Sequence, residues 1–307
     1  MICEGTAMRW EDFRRSENVD DERGGGGGGG FRFPGGGGGV GIGGLIVVGL
    51  VSWALGVDPR VILAGLETVQ GGGSGYSQQE RPTGDPSQLS EDEKKQGEFV
   101  RAVLAQTEDV WTPLFKDSGK AYDKPRLTLF SGRTSTACGM GASAMGPFYC
   151  PGDQRVYLDT EFFDELARKF KSPGEFARAY VIAHEVGHHV QNELGIMRWA
   201  NEQRQRARSE EQANAISVRI ELQADCFAGV WGYWANKRFN ILEDGDVEQA
   251  LTAATQIGDD TLQKRSGGEV VPDSFTHGSS AQRVKWFRTG LASGDPKTCD
   301  TFNQRQL

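Results

Sequence analysis

Val181-Ile-Ala-His-Glu-Val-Gly-His-His-Val190 is the stretch whose reading decides this chain. His184 and His188 stand four residues apart. On an α-helix that separation stacks two side chains on one face, so both imidazoles can reach one metal ion. Glu185, one position on, can address a water at that metal rather than the metal itself. Zinc accepts imidazole nitrogen, and in catalytic sites it takes three protein ligands and leaves a position for water. The pKa of that water falls to about 7, within reach of a carboxylate acting as base. The pattern therefore predicts Zn2+ on His184 and His188, with Glu185 as general base.

The context is helical. The chain has four histidines, and three of them lie in this one segment. Phe176, Ala179, Tyr180, Ile182 and Ala183 are apolar at helical spacing. Ser172-Pro173-Gly174-Glu175 supplies a start, with Ser172 as N-cap and Pro173 at the first position, and Gly195 offers a stop. A third ligand is sought in Glu221-Leu-Gln-Ala-Asp225. These acids are again one turn apart, within a helix predicted from Ser209 to Lys237 and opened by a Ser209/Gln212 capping box. Ile216, Ile220, Phe227, Val230 and Trp234 form its apolar stripe. The functional reading makes Glu221 the third ligand. Asp225 then accepts a hydrogen bond from the far nitrogen of a zinc-bound histidine, fixing its tautomer. The plain alternative is two solvated acids on a helix face.

The two remaining histidines are read differently. His189 points elsewhere on the helix and reads as a packing or surface residue. His277 precedes a helix opened by Ser279 and Gln282 and is either a capping-loop histidine or, with Arg283, a group that polarises the scissile carbonyl.

Composition sets bounds. The 307 residues suffice for one catalytic domain and extras, and a net charge of −8 argues against a general nucleic-acid binder. Two glycine runs, 24–30 and 35–39, make residues 1–39 a flexible tail. Residues 40–57 carry no charge and extend about 27 Å as a helix, which predicts one membrane span. Arg14, Arg15, Arg23 and Arg32 before it suggest an inside amino terminus and an extracytoplasmic domain. Residues 58–88 read as a polar linker. Of five cysteines, Cys3 falls on the inner side; Cys138 with Cys150 and Cys226 with Cys299 make two disulfides in an oxidising compartment, or else four packed thiols.

The domain at 89–307 reads as α+β and helix-dominated, with a small sheet. A helix opens at the Ser90/Glu93 capping box, with Phe99, Val103, Leu104, Val110 and Trp111 as its stripe. Strands are predicted at 126–130, 143–150 and 155–158. Further helices are predicted around Phe162, Phe163, Leu166 and Phe170, over 246–264 and over 279–291.

Taken together these segments resemble a known family, the neutral zinc metallopeptidases of the YpfJ-like, membrane-anchored bacterial group. The matching motifs run in order: Met8-Arg-Trp, Arg15-Ser-Glu-Asn-Val19 and a glycine run; Ser143-Ala-Met-Gly-Pro-Phe-Tyr-Cys150; Gln154-Arg-Val-Tyr-Leu-Asp159; and Ala183-His-Glu-Val-Gly-His-His-Val-Gln191. After them come Glu221 to Trp231, Ile257-Gly-Asp-Asp260, Thr276-His-Gly-Ser-Ser280 and Gln282-Arg283. The resemblance implies a zincin-like domain with a glutamate third ligand. It also implies a cleft-lining strand, so that Ala144-Met-Gly-Pro-Phe148 either pairs with an extended peptide or is an ordinary edge. The family pattern begins at Met8, which leaves Met1 to Ala7 as an extension or a misplaced start. The expected activity is hydrolysis of peptide bonds by a membrane-anchored zinc endopeptidase. A non-catalytic zinc-containing envelope scaffold and a non-peptidase hydrolase are the alternatives.

Overall fold

The computed structural model describes residues 8–24, 85–142, 146–168, 174–265, 270–303 and 307. Helices dominate, as expected, with two small sheets. Helix α1 (Glu91–Asp117) opens on Ser90, whose side chain accepts from the Glu93 amide while Glu93 accepts from the Ser90 amide. Its stripe of Phe99, Val103, Leu104, Val110 and Trp111 is buried. A short α2 (Glu161–Arg168) precedes α3 (Glu175–Glu193), which carries the two-histidine motif. Helix α3 is capped by Gly174; the expected cap Ser172 lies outside the described residues. Leu194 closes α3, and Gly195 takes the left-handed conformation (φ 77°) that turns the chain into α4 (Ile196–Arg206), a helix the sequence did not announce.

Helix α5 (Glu210–Phe239) matches its predicted span closely. Ser209 caps it, but Gln212 accepts from the Arg208 amide rather than that of Ser209, so only half of the expected capping box forms. The single helix expected over 246–264 is two: α6 (Asp246–Gln256) and α7 (Asp259–Arg265). The break lies at Gly258, where a Cβ would sit 2.5 Å from the Ser280 amide. Helix α8 (Ser280–Ser293) carries the predicted Ser279/Gln282 capping box.

Close backbone approach assembles these helices. A Cβ on Gly187 of α3 would lie 2.9 Å from the Ala224 carbonyl of α5. On Gly290 of α8 it would lie 1.9 Å from the Cys226 carbonyl, and on Gly229 of α5 2.1 Å from that of Phe287. Glycine at these crossings lets α3 and α8 press onto the same stretch of α5. Stacked Phe176 and Trp231, and Trp111 edge-on to Phe227, fill the space beside them.

The main sheet has the order β1–β2–β6–β5, with β1 (Val19–Asp21), β2 (Arg126–Phe130) and β6 (Arg155–Asp159) parallel and β5 (Phe148–Cys150) antiparallel at the edge. The strand expected over 143–150 is thus described only from Phe148, and residues 143–145 lie outside the described set. Strands β3 (Arg133–Thr136) and β4 (Gly139–Ala142) form a separate hairpin. Both expected disulfides form, with Cα atoms 5.8 Å apart for Cys138–Cys150 and 5.6 Å for Cys226–Cys299.

The amino-terminal reading needs correction. Residues 8–24 are not part of a flexible tail: Met8, Trp10 and Val19 are buried in the core, and β1 pairs with β2. Ser16 and Asn18 donate to the buried Glu108 carboxylate, and Arg14 pairs with it at 2.7 Å. Sparse apolar residues carry little local signal, and their partners lie a hundred residues downstream. Among the described residues no helix is long and apolar enough to cross a membrane, and the span expected over 40–57 lies outside them. One constraint on it follows from the sheet. A single crossing between Gly24 and Asp85 would set β1 and β2 on opposite sides of a membrane, which their pairing excludes.

Candidate metal centre

Helix geometry places His184 and His188 one turn apart on α3, with rings 4.8 Å apart. The α3–α5 crossing at Gly187 brings Glu221 across from them. His184 Nε2 lies 3.3 Å from Glu221 Oε2, and His188 Nε2 lies 3.6 Å from Glu221 Oε1. Ligand atoms of these three residues all fall within 4.8 Å of one another. Two nitrogens and a carboxylate, converging and largely buried, form the donor set of a catalytic zinc site.

The Nδ1 atoms confirm the fit, because each is occupied from behind. His184 Nδ1 is 2.9 Å from Asp225 Oδ1, as the sequence predicts, and His188 Nδ1 is 2.9 Å from Gln191 Oε1. With Nδ1–H donated to those acceptors, each Nε2 presents a lone pair toward the shared point. Burial lowers the His184 pKa, but the Asp225 carboxylate reverses this and raises it to about 10. For Glu221, burial raises the pKa, and the neighbouring histidines draw it well below the usual carboxylate range. In the absence of metal the pocket thus favours a proton on His184, and a metal ion would replace it.

Asp225 is the hub behind the site. It is fully buried and accepts from His184, from Tyr180 OH at 2.5 Å, and from Arg283 Nε and Nη2 at 2.8 and 2.9 Å. Burial pushes its carboxyl up, and Arg283 with His184 more than reverses that, to about 2. Arg283 lies 3 % exposed on the Nδ1 side of His184, where its guanidinium is held by Asp225.

His277 is placed differently. Its side chain is half exposed, and its Nδ1 lies 3.2 Å from Asp259 Oδ1. Asp259 Oδ2 gathers the backbone amides of Thr276, His277 and Gly278, which fixes the loop. Burial lowers the pKa of the His277 ring, and Asp259 together with the charge of Glu221 more than reverses this. Glu185 is 7 % exposed, and its carboxylate makes no hydrogen bond among the described residues. His189 is a packing residue: fully buried, edge-on to Tyr122 and Tyr149, with its ring nitrogens against Tyr149 OH and the Asp123 carbonyl.

The family model described as "Putative neutral zinc metallopeptidase" matches residues 8–302. This chain belongs to that family. YpfJ of Escherichia coli K12 is 48 % identical over 299 residues, covering 97 % of this chain and 99 % of its own. Mb2605 of Mycobacterium bovis and Rv2575 of Mycobacterium tuberculosis are each 41 % identical over 269 residues, covering 82 % of this chain and 85 % of theirs. No solved structure matches. The family match begins at Met8, which is buried in the core.

Several residues at this candidate metal centre had no role in the sequence reading. Gln191 lies one turn past His188 and carried a signal in that spacing. Tyr180, Gln223 and Asp259 lay within quoted stretches, but their roles could not be read there because their partners are distant in sequence. Gly187 was quoted within the motif, but its close approach to α5 is visible only in three dimensions.

Proposed function

We propose that this chain is a zinc-dependent endopeptidase in which His184, His188 and Glu221 hold the metal and Glu185 is the general base. One observation carries the reading. Three ligand atoms converge, both histidines are oriented from behind, and Glu185, the residue after His184, has no hydrogen-bond partner among the described residues. Zinc bound there would lower the pKa of a coordinated water to about 7 and polarise a carbonyl oxygen. Glu185 takes the proton as the water attacks and delivers it to the leaving amine. Asp225, Tyr180 and Arg283 hold His184 in one tautomer and one orientation. His277, set by Asp259, donates to the developing oxyanion. Edge strand β5 packs against α3 and offers backbone groups to an extended peptide.

The proposal includes attachment to the cell membrane through residues 40–57 and an extracytoplasmic domain. The uncharged apolar run and two disulfides support it. Given the β1–β2 pairing, the attachment keeps both flanks of the run on one face of the bilayer.

The test is metal content of the full chain together with casein cleavage by wild type and Glu185→Gln. One zinc per chain in both proteins, with cleavage lost by about 100-fold or more in the variant, is the expected result. One zinc without cleavage in either would favour the scaffold role. Absence of zinc would overturn the reading.

A further inference from the structure

The back of His188 leads into a chain of side-chain amides. Gln191 Oε1 accepts from His188 Nδ1, while Gln191 Nε2 donates to the Ile220 carbonyl at 2.7 Å and to Gln223 Oε1 at 3.1 Å. An amide nitrogen has two protons, and both are used here. Flipping Gln191 would turn its oxygen toward two acceptors and its nitrogen toward His188, so Oε1 is forced to face the imidazole. Gln223 is fixed in the same way, because its Nε2 donates to the Cys299 carbonyl at 2.9 Å. Both glutamines are buried, where an unpaired amide is costly. Cys299 is tied by its disulfide to Cys226, the neighbour of Asp225, which orients the other histidine.

We propose that Gln191 and Gln223 are positioning residues that link His188 to the Cys226–Cys299 cross-link, so that the seating of the carboxy-terminal segment tunes metal affinity. The proposal rests on the metal reading above. The chain of amides forces the proton of neutral His188 onto Nδ1 and leaves Nε2 for the metal. It also anchors Gln191 to the Ile220 carbonyl, the residue before ligand Glu221, and so ties both helices of the site together.

Two measurements on the full chain test this: zinc affinity by chelator competition at fixed pH, and the His188 tautomer by ring 15N NMR in metal-free protein. Gln191→Met should lose about 10–100-fold in zinc affinity. Gln223→Met should lose less, in the same direction, and mix the His188 tautomers. The paired Cys226→Ala/Cys299→Ala variant should also lose affinity, and adding Gln223→Met to it should cost little more, since linked groups are non-additive. Full additivity, or unchanged affinity and tautomer in Gln223→Met, overturns the proposal. If wild type binds no zinc, the metal reading fails instead. The tautomer then judges the relay alone: Nδ1–H in wild type and a mixture in Gln223→Met support it, and no change overturns it.

Discussion

Arg283 grips Asp225 with two hydrogen bonds, Nε to Oδ2 at 2.8 Å and Nη2 to Oδ1 at 2.9 Å, in a fully buried pocket behind His184. The pair joins α8 to α5, and Asp225 passes the constraint to a metal-facing imidazole. Removing the guanidinium would strand a buried carboxylate. We expect Arg283→Met to cost about 3–5 kcal/mol of stability in urea unfolding. Arg283→Lys should recover part of this, because it restores the charge but not the two-pronged geometry. Equal stability of all three proteins would show that the pair holds nothing together.

Gly187 should tolerate no side chain. Its Cβ would lie 2.9 Å from the Ala224 carbonyl, backbone against backbone, and neither helix can yield locally. Gly187→Ala is expected to cost about 1–3 kcal/mol by overpacking. It should also weaken zinc binding, because the α3–α5 distance sets how near Glu221 stands to the histidines. Isothermal titration of the metal-free variant checks this, and wild-type affinity would separate the helix crossing from the site.

Acid should loosen the amino-terminal segment first. Burial raises the Glu108 pKa, but hydrogen bonds from Ser16, Arg14 and Asn18 draw it below its ordinary 4.5. A carboxylate whose pKa is depressed on folding contributes stability that is fully present above the unfolded value. That contribution is lost as pH falls through the folded value. Protection of the amides of residues 8–24, measured against their intrinsic exchange rate, should therefore fall as pH drops below about 4.5. Glu108→Gln should exchange faster at neutral pH and show a flatter dependence.

Residues 8–24 and the rest of the domain must share one compartment, because β1 pairs with β2 along Val19–Asp21. In a Cys3→Ser background, Glu17→Cys and Arg288→Cys sit at exposed positions on either side of residues 25–84. An impermeant maleimide added to intact cells should label both or neither. Labelling of one alone would mean that the sheet is not formed as described.

Much of the site was legible in the sequence because its spacing is local. Helical periodicity alone places His184 beside His188 and Glu221 beside Asp225, and the caps at Ser90, Ser209 and Ser279 mark helix starts within a few residues. Periodicity failed where a local pattern was broken by a distant contact, as at Gly258, where packing on Ser280 divides one apolar run into two helices. It failed again at residues 8–24, whose few apolar side chains find partners far along the chain, Trp10 on Phe99 of α1, Phe13 on Phe239 of α5 and Val19 beside Leu127 of β2.

By itself, then, the sequence determined the helical pairs His184/His188 and Glu221/Asp225, the place of Glu185 beside the first, and the helix-dominated class, since each depends on neighbours within a turn or two. Beyond Asp225, only the tertiary structure decided which groups stand behind His184 and His188. Arg283 reaches Asp225, Gln223 reaches Cys299 and β1 reaches β2 across separations of 58 residues or more. The contacts around His184 depend on how closely three helices pack at Gly187, Gly229 and Gly290, a long-range fit that no local spacing encodes.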